Sequence, residues 1–261
     1  MLMLLVVAAI STYIKYMIDI ILGLLGGVAA GFVGSISSSG GLISVPLMLA
    51  IGLPANVAVG TNRFAAVGML TAAVPRYLKG GKVRKSFLIY LIPVALVGGV
   101  IGSQILVSLD LDQFRQYLGG VFLFMLPTLF ISREFGKKRR KTSVTKKALG
   151  LLTYVGIMIY AGLVGAGVGI FIALSFTYFF GLTYTEAIAT NMVAWLILST
   201  VLAVIFAYEG IINYTVGVPL MAGMFVGGEL GSKFAIEKGN AVVQWMLAGV
   251  MLFTGVRLLF F

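Results

Sequence analysis

The chain has 261 residues, 60% of them hydrophobic and only 10% charged, with a formal net charge of +11. A soluble domain carries about 25% charged residues, so a water-exposed globule is excluded. The sequence has no Cys and no His, which also excludes disulfides, thiol chemistry and any enzyme built on Ser–His or on a His-ligated metal.

The first ten residues, MLMLLVVAAI, look like a signal-peptide core but have no basic stretch before them and no small-residue cleavage site after them. Residues 1–16 are therefore read as a retained N-terminal apolar segment. With nothing removed, the protein belongs in a cell inner or plasma membrane. Apolar pieces follow near 17–34, 41–51, 57–77, 86–108 and 114–132, forming a first membrane repeat over 17–132. Residues 133–147 form a basic linker, and its KKRRK run (137–141) suits anionic lipid headgroups. Residues 148–261 form a second membrane repeat, with pieces near 148–164, 168–181, 186–208, 212–232 and 241–260. No charge occurs from Ile20 to Asn62, from Ala148 to Thr185 or from Ala187 to Tyr208. About 20 apolar residues cross a bilayer as a helix, and these runs lack the alternation of barrel strands. The fold class is all-α and polytopic in the membrane.

The two repeats are one unit of roughly 115 residues written twice. GLPANVAVGTN (52–62) and GLTYTEAIATN (181–191) lie 129 positions apart and match at Gly, Leu, Ala, Thr and Asn. The same offset carries GGVIGS (98–103) onto GGELGS (227–232), and GVFLF (120–124) onto GVMLF (249–253). In each copy a piece too short to span alone, 41–51 or 168–181, follows a small-residue break, GSISSSGG (34–41) or GAGVG (165–169). Such a break is a hairpin turning inside the membrane or a helix interrupted at mid-depth, and is tolerated only within protein or beside a wet cavity.

Thirteen of the 19 Lys and Arg lie in Arg76–Lys85 and Arg133–Lys147. The positive-inside rule puts both loops in the cytoplasm, and no base-reading motif supports nucleic acid as a partner. With the acidic turn Asp110–Asp112 and the loop Glu209–Asn213 outside, the first copy begins outside and the second inside. The copies are then inverted repeats, which place a binding site near mid-membrane at their interface.

Candidate residues follow from this plan. A helix N-terminus presents unpaired amides and partial positive charge, and small residues let an anion approach it. Ser37, Ser38, Ser39, Gly40 and Gly41 fit that role in the first copy, and Gly165, Gly167 and Gly169 in the second; the competing reading is close helix packing. Thr61, Asn62, Thr190 and Asn191 recur at matching positions and either donate to an oxyanion or make caps and interhelical bonds. Arg63 follows the long uncharged run; its forked donors suit an anion, unless it lies near the outer surface and snorkels. Its counterpart in the second copy is Met192. Glu229 replaces Val100 in the second GGxxGS motif and is a possible coupling carboxylate, although pairing with Lys233 one turn on is the preferred reading. The motif glycines are expected to let helices approach closely. No motif calls for a cofactor or a metal.

The serine/glycine break, the short helix through Pro46, GLPANVAVGTN, the basic loop after Tyr77, the GLTYTEAIATN copy and both GGxxGS motifs together resemble the TauE/SafE, or sulfite exporter, family of membrane transporters. The resemblance covers about residues 17–261. It implies export of a small sulfur oxyanion or organosulfonate, such as sulfite or sulfoacetate, by an alternating-access carrier. The family's glycine-dense first break is serine-rich here, a change that bears on anion preference. The expected function is a secondary transporter of a small anion, not an enzyme; an anion channel and a non-transporting scaffold or sensor are the alternatives. Expected partners are the anion and membrane lipids, and the sequence admits a homodimer.

Overall fold

The computed structural model describes residues 2–108, 139–165 and 167–237. The expected pieces at 114–132 and 241–260, with the GVFLF and GVMLF motifs, lie outside the described residues. Among the described residues there are eight helices and no strand: α1 (Leu2–Ser37), α2 (Gly41–Ala50), α3 (Ala55–Lys79), α4 (Lys85–Ser108), α5 (Val144–Leu163), α6 (Val168–Phe179), α7 (Tyr184–Tyr208) and α8 (Tyr214–Glu237). Five of them are long and apolar enough to cross a membrane: α1 from Ile10, α3, α4, α5 and α7. The protein is an all-helical, multi-pass membrane protein.

The helices obey the sequence repeat. α3 and α7 each have 25 residues, α4 and α8 each have 24, and both pairs begin 129 positions apart. One helix, Leu2–Ser37, runs through both the N-terminal apolar segment and the first apolar piece of repeat 1.

Both small-residue breaks are hairpin turns. α2 folds back along α1, with Gly40 against Ala30 and Gly26 against Leu47. α6 folds back along α5: Gly150 meets Phe179, the Thr153 and Ser175 hydroxyls bond at 3.2 Å, and the Tyr154 and Phe176 rings lie 5.2 Å apart.

Packing then crosses between copies. The first helix of each copy lies along the last described helix of the other, α1 on α8 and α5 on α4. The GGxxGS glycines make these seams. A Cβ on Gly102 would overlap the Ile159 carbonyl, and one on Gly231 would overlap the Phe32 carbonyl. Small residues allow such close approach where water supplies no driving force. α1 and α8 run in the same direction, with Gly27 at Leu220 and Gly31 at Met224. α3 also runs parallel to α8, with Gly60 at Ile211, Gly68 at Met221 and Arg76 at Glu229. α4 likewise runs parallel to α5 and α7, with Gly98 at Val155, Gly102 at Ile159 and Arg84 at Thr190.

The basic segments gather at one end of the bundle. Arg84 from the α3–α4 loop and Arg139 from the linker both bond Glu186, in the first turn of α7. That helix begins with a capping box: Glu186 N–H donates to Thr183 Oγ1 at 3.4 Å, and Thr183 N–H donates to Glu186 Oε2 at 3.2 Å.

Candidate functional site

The two hairpin tips meet inside the bundle. Gly169, in the first turn of α6, has its missing side chain occupied by the Ser37 carbonyl and by Ser38. Any larger residue would separate the tips. In the first tip α1 ends on Ser38, whose φ of +54° is unusual for a residue other than glycine. The turn holds because Ser38 N–H donates to the Gly34 carbonyl at 2.7 Å and Ser39 Oγ to the Ser37 carbonyl at 3.2 Å. α2 then starts at Gly41 with no side-chain cap. In the second tip Gly165 and Gly167 both have φ of +73°, and Gly167 is the N-cap of α6.

A cavity opens where these tips face α3. Ser38, Gly40 and Gly41 line it from the first tip and Gly165 from the second. Asn62, Arg63, Ala66 and Met69 line it from α3, Trp195 from α7 and Met224 from α8. Ala66 and Trp195 are equivalent positions of the repeat, each the twelfth residue of a 25-residue helix. At 1.5 Å per residue that is about 18 Å from either end, near mid-bilayer.

Arg63 dominates the site. It is 1% exposed, which rules out the snorkelling position. Its Nη2 donates to the Ala161 carbonyl near the C-terminus of α5. The guanidinium fills the space a Gly165 side chain would need, so the second break is shaped around it. Its Cζ lies 4.4 Å from the centre of the Trp195 ring, a cation–π contact. Nε is buried without a hydrogen-bond partner, and among the described residues no carboxylate pairs with Arg63. A carbonyl and a ring orient the charge without neutralising it. A buried cation without a carboxylate partner among the described residues is costly inside a membrane protein, which makes Arg63 a candidate functional residue. The Ser38 hydroxyl is a second buried donor lacking a partner at the same cavity.

The recurring Thr–Asn pairs divide into two roles. Asn62 lines the cavity and is held by Ser44, whose hydroxyl donates to Asn62 Oδ1 at 2.6 Å. Asn191 is fully buried; its Oδ1 accepts from Tyr154 at 2.8 Å and its amide nitrogen has no partner. The threonines bind backbone of the opposite copy. Thr61 Oγ1 accepts from Asn213 N–H and Thr190 Oγ1 from Arg84 N–H, both at 2.9 Å. Asn213 and Arg84 are themselves 129 positions apart, so the two bonds are one contact made reciprocally.

Of the residues singled out in the sequence, Ser38, Gly40, Gly41, Asn62, Arg63 and Gly165 come together on the cavity. Ser37, Ser39, Gly167 and Gly169 build the tips behind it, while Thr61, Thr190 and Asn191 join the copies around it. Glu229 is elsewhere: it pairs with Arg76 rather than Lys233, both side chains more than a third exposed. Arg76 lies one turn from the basic end of α3, beyond the reach of helical i, i+4 reasoning. Trp195, Met69 and Met224 were not expected. The available signal for Trp195 was an indole in the middle of an uncharged run, at the position equivalent to Ala66.

Comparison with known proteins agrees with this architecture. The model of the sulfite exporter TauE/SafE family matches residues 22–258. A probable membrane transporter protein of Haemophilus influenzae is 27% identical over 221 residues, covering 85% of this chain and 87% of that protein. The probable membrane transporter protein YfcA of Escherichia coli K12 is 27% identical over 257 residues, covering 92% and 90%. The probable membrane transporter protein YdhB of Bacillus subtilis is 26% identical over 253 residues, covering 95% and 98%. No solved structure matches the chain. A match through both copies, both breaks and the cavity residues shows that the chain belongs to the sulfite exporter TauE/SafE family of membrane transporters.

Proposed function

We propose that this transporter is a secondary carrier that exports a small oxyanion, sulfite or an organosulfonate such as sulfoacetate, by alternating access. One observation carries the reading: Arg63, buried and without a carboxylate partner among the described residues, lines a cavity at the junction of two hairpin tips. An anion neutralises it there, accepting from Arg63 Nε and Ser38 Oγ near the uncapped start of α2. Sulfite and sulfonate present three oxygens to such a fan of donors.

The copies work as inverted repeats in the inner membrane. In support, α3 runs with α8 while α7 runs with α4, which gives the equivalent helices α3 and α7 opposite senses. The basic end, with Arg84, Arg139 and Glu186, faces the cytoplasm by the positive-inside rule. Rocking one copy against the other exposes the cavity to each side in turn.

Purified protein in liposomes tests this. Counterflow should appear with sulfite or sulfoacetate and saturate with concentration, and sulfate and taurine serve as comparison substrates. Unitary currents would identify a channel instead, and absence of flux for all four would remove the substrate class.

A further inference from the structure

The two ends of the bundle are built on the same reciprocal threonine contact, but only the basic end adds ions to it. Arg84, whose backbone N–H bonds Thr190, also directs its guanidinium onto Glu186, with Nε 3.2 Å from Oε1 and Nη2 in contact with the same oxygen. Arg139 bonds the same carboxylate, its Nε 2.8 Å from Oε1 and 3.0 Å from Oε2 and its Nη2 also in contact with Oε1. Glu186 is 5% exposed. At the opposite end the equivalent positions hold Val57 and Asn213. The scaffold contact is duplicated; the charge cluster is not.

The three groups come from three parts of the chain. Glu186 opens α7 in repeat 2. Arg139 is fixed beside it, because Arg140 N–H donates to the Gly181 carbonyl at 3.0 Å and the Arg140 carbonyl fills the side-chain space of Gly181. Arg84 belongs to repeat 1. The Arg84–Glu186 bond is therefore a buried-carboxylate tie between the copies, beside the more exposed Arg76–Glu229 pair, and Arg139 adds a second guanidinium to the same carboxylate. Two guanidiniums share one carboxylate, so replacing Glu186 by an uncharged residue would leave two cations facing each other at the seam. Glu186 lies nine residues before Trp195 on α7, about 14 Å along the axis from the cavity.

We propose that the Arg84–Glu186–Arg139 cluster is the gate at the basic end: closed, it seals the cavity from that side, and opening toward that side requires Arg84 to leave Glu186. The assignment rests on the alternating-access reading, and its test is read separately from transport. The chain has no Cys, so single thiols can be introduced without background. Ala66→Cys places one on the cavity wall. It is labelled with a membrane-impermeant maleimide in inside-out vesicles, which present the cytoplasmic face, and in right-side-out vesicles. Glu186→Gln should speed labelling about tenfold from the face carrying the basic loops and slow it from the other. Glu186→Asp, which keeps the carboxylate, should restore the parent rates. Equal rates in Glu186→Gln and parent, or a rise from the opposite face, would overturn the gate.

A second experiment does not depend on how Glu186→Gln folds. Arg84→Cys with Glu186→Cys is joined by a short cleavable bis-maleimide. Joined protein should lose sulfite counterflow and regain it on cleavage of the linker. Counterflow continuing at the unjoined rate would overturn the proposal. If uncrosslinked parent shows no counterflow, the carrier reading fails, while the labelling experiment still decides the gate.

Discussion

The two copies share the lengths of α3 with α7 and of α4 with α8, the breaks, and the reciprocal Thr61–Asn213 and Thr190–Arg84 bonds. They differ where chemistry is needed. Repeat 1 places Arg63 where repeat 2 has Met192, and repeat 2 places Trp195 and Glu186 where repeat 1 has Ala66 and Val57. Positions that match hold the bundle together. Positions that depart from the match give the cavity its charge and one end its ion cluster.

The comparison can be broken by making the copies alike. Arg63→Met gives repeat 1 the residue of repeat 2 and should have the largest effect, a loss of about 100-fold or more in the kcat/KM of sulfite counterflow with the protein still folded; removing one partner of a buried charge contact costs about 3–5 kcal/mol. Arg63→Lys should recover little of it, because an ammonium lacks the fork. Gly165→Ala comes next. It pushes a side chain into the guanidinium at a backbone φ of +73°, so activity should drop about tenfold or more and the melting temperature should fall, the strain alone costing about 1–3 kcal/mol. Trp195→Leu removes the ring beneath Arg63 and should weaken transport by roughly tenfold, since a cation–π contact of this kind contributes about 1–2 kcal/mol.

The matched positions should respond alike. Thr61→Val and Thr190→Val each delete one hydroxyl acceptor and should lower stability by similar amounts, about 1 kcal/mol each, by thermal melts in detergent. A large difference between them would mean that the copies are not equivalent supports. Glu229→Gln should have the smallest effect. Its partner Arg76 and Glu229 itself are 37% and 41% exposed in their side chains, so solvent screening leaves the pair little to contribute. Loss of transport in that variant would restore a coupling role to Glu229.

Much of this architecture was legible in the sequence because membrane helices are governed by length and hydropathy. The apolar pieces at 57–77, 86–108 and 186–208 match α3, α4 and α7 to within a few residues, and the 129-residue offset relates α3 to α7 and α4 to α8. The breaks were visible as GSISSSGG and GAGVG, since only small residues permit the positive φ of Gly165 and Gly167 and the contact of Gly169 with Ser37. Arg63 stood out because a lone charge between apolar runs is improbable without a purpose. What the sequence left open were pairings between distant segments. Neither the role of Thr61 and Thr190 as acceptors of backbone amides nor the Arg76–Glu229 pair follows from local spacing, and the Arg84–Glu186–Arg139 cluster joins three segments that periodicity treats as unrelated. Trp195 does not stand out in the sequence, because an aromatic in an apolar helix is ordinarily packing, and its placement under Arg63 distinguishes it.

Trp195 also provides the most direct test. The chain has two tryptophans, and Trp245→Phe leaves Trp195, 4.4 Å from Arg63, as the sole indole. Titrating sulfite or sulfoacetate into that purified protein should change its emission saturably, and Arg63→Met in the same background should abolish the response. A saturable response with an unchanged midpoint in the Arg63→Met protein would contradict the claim that this arginine receives the anion.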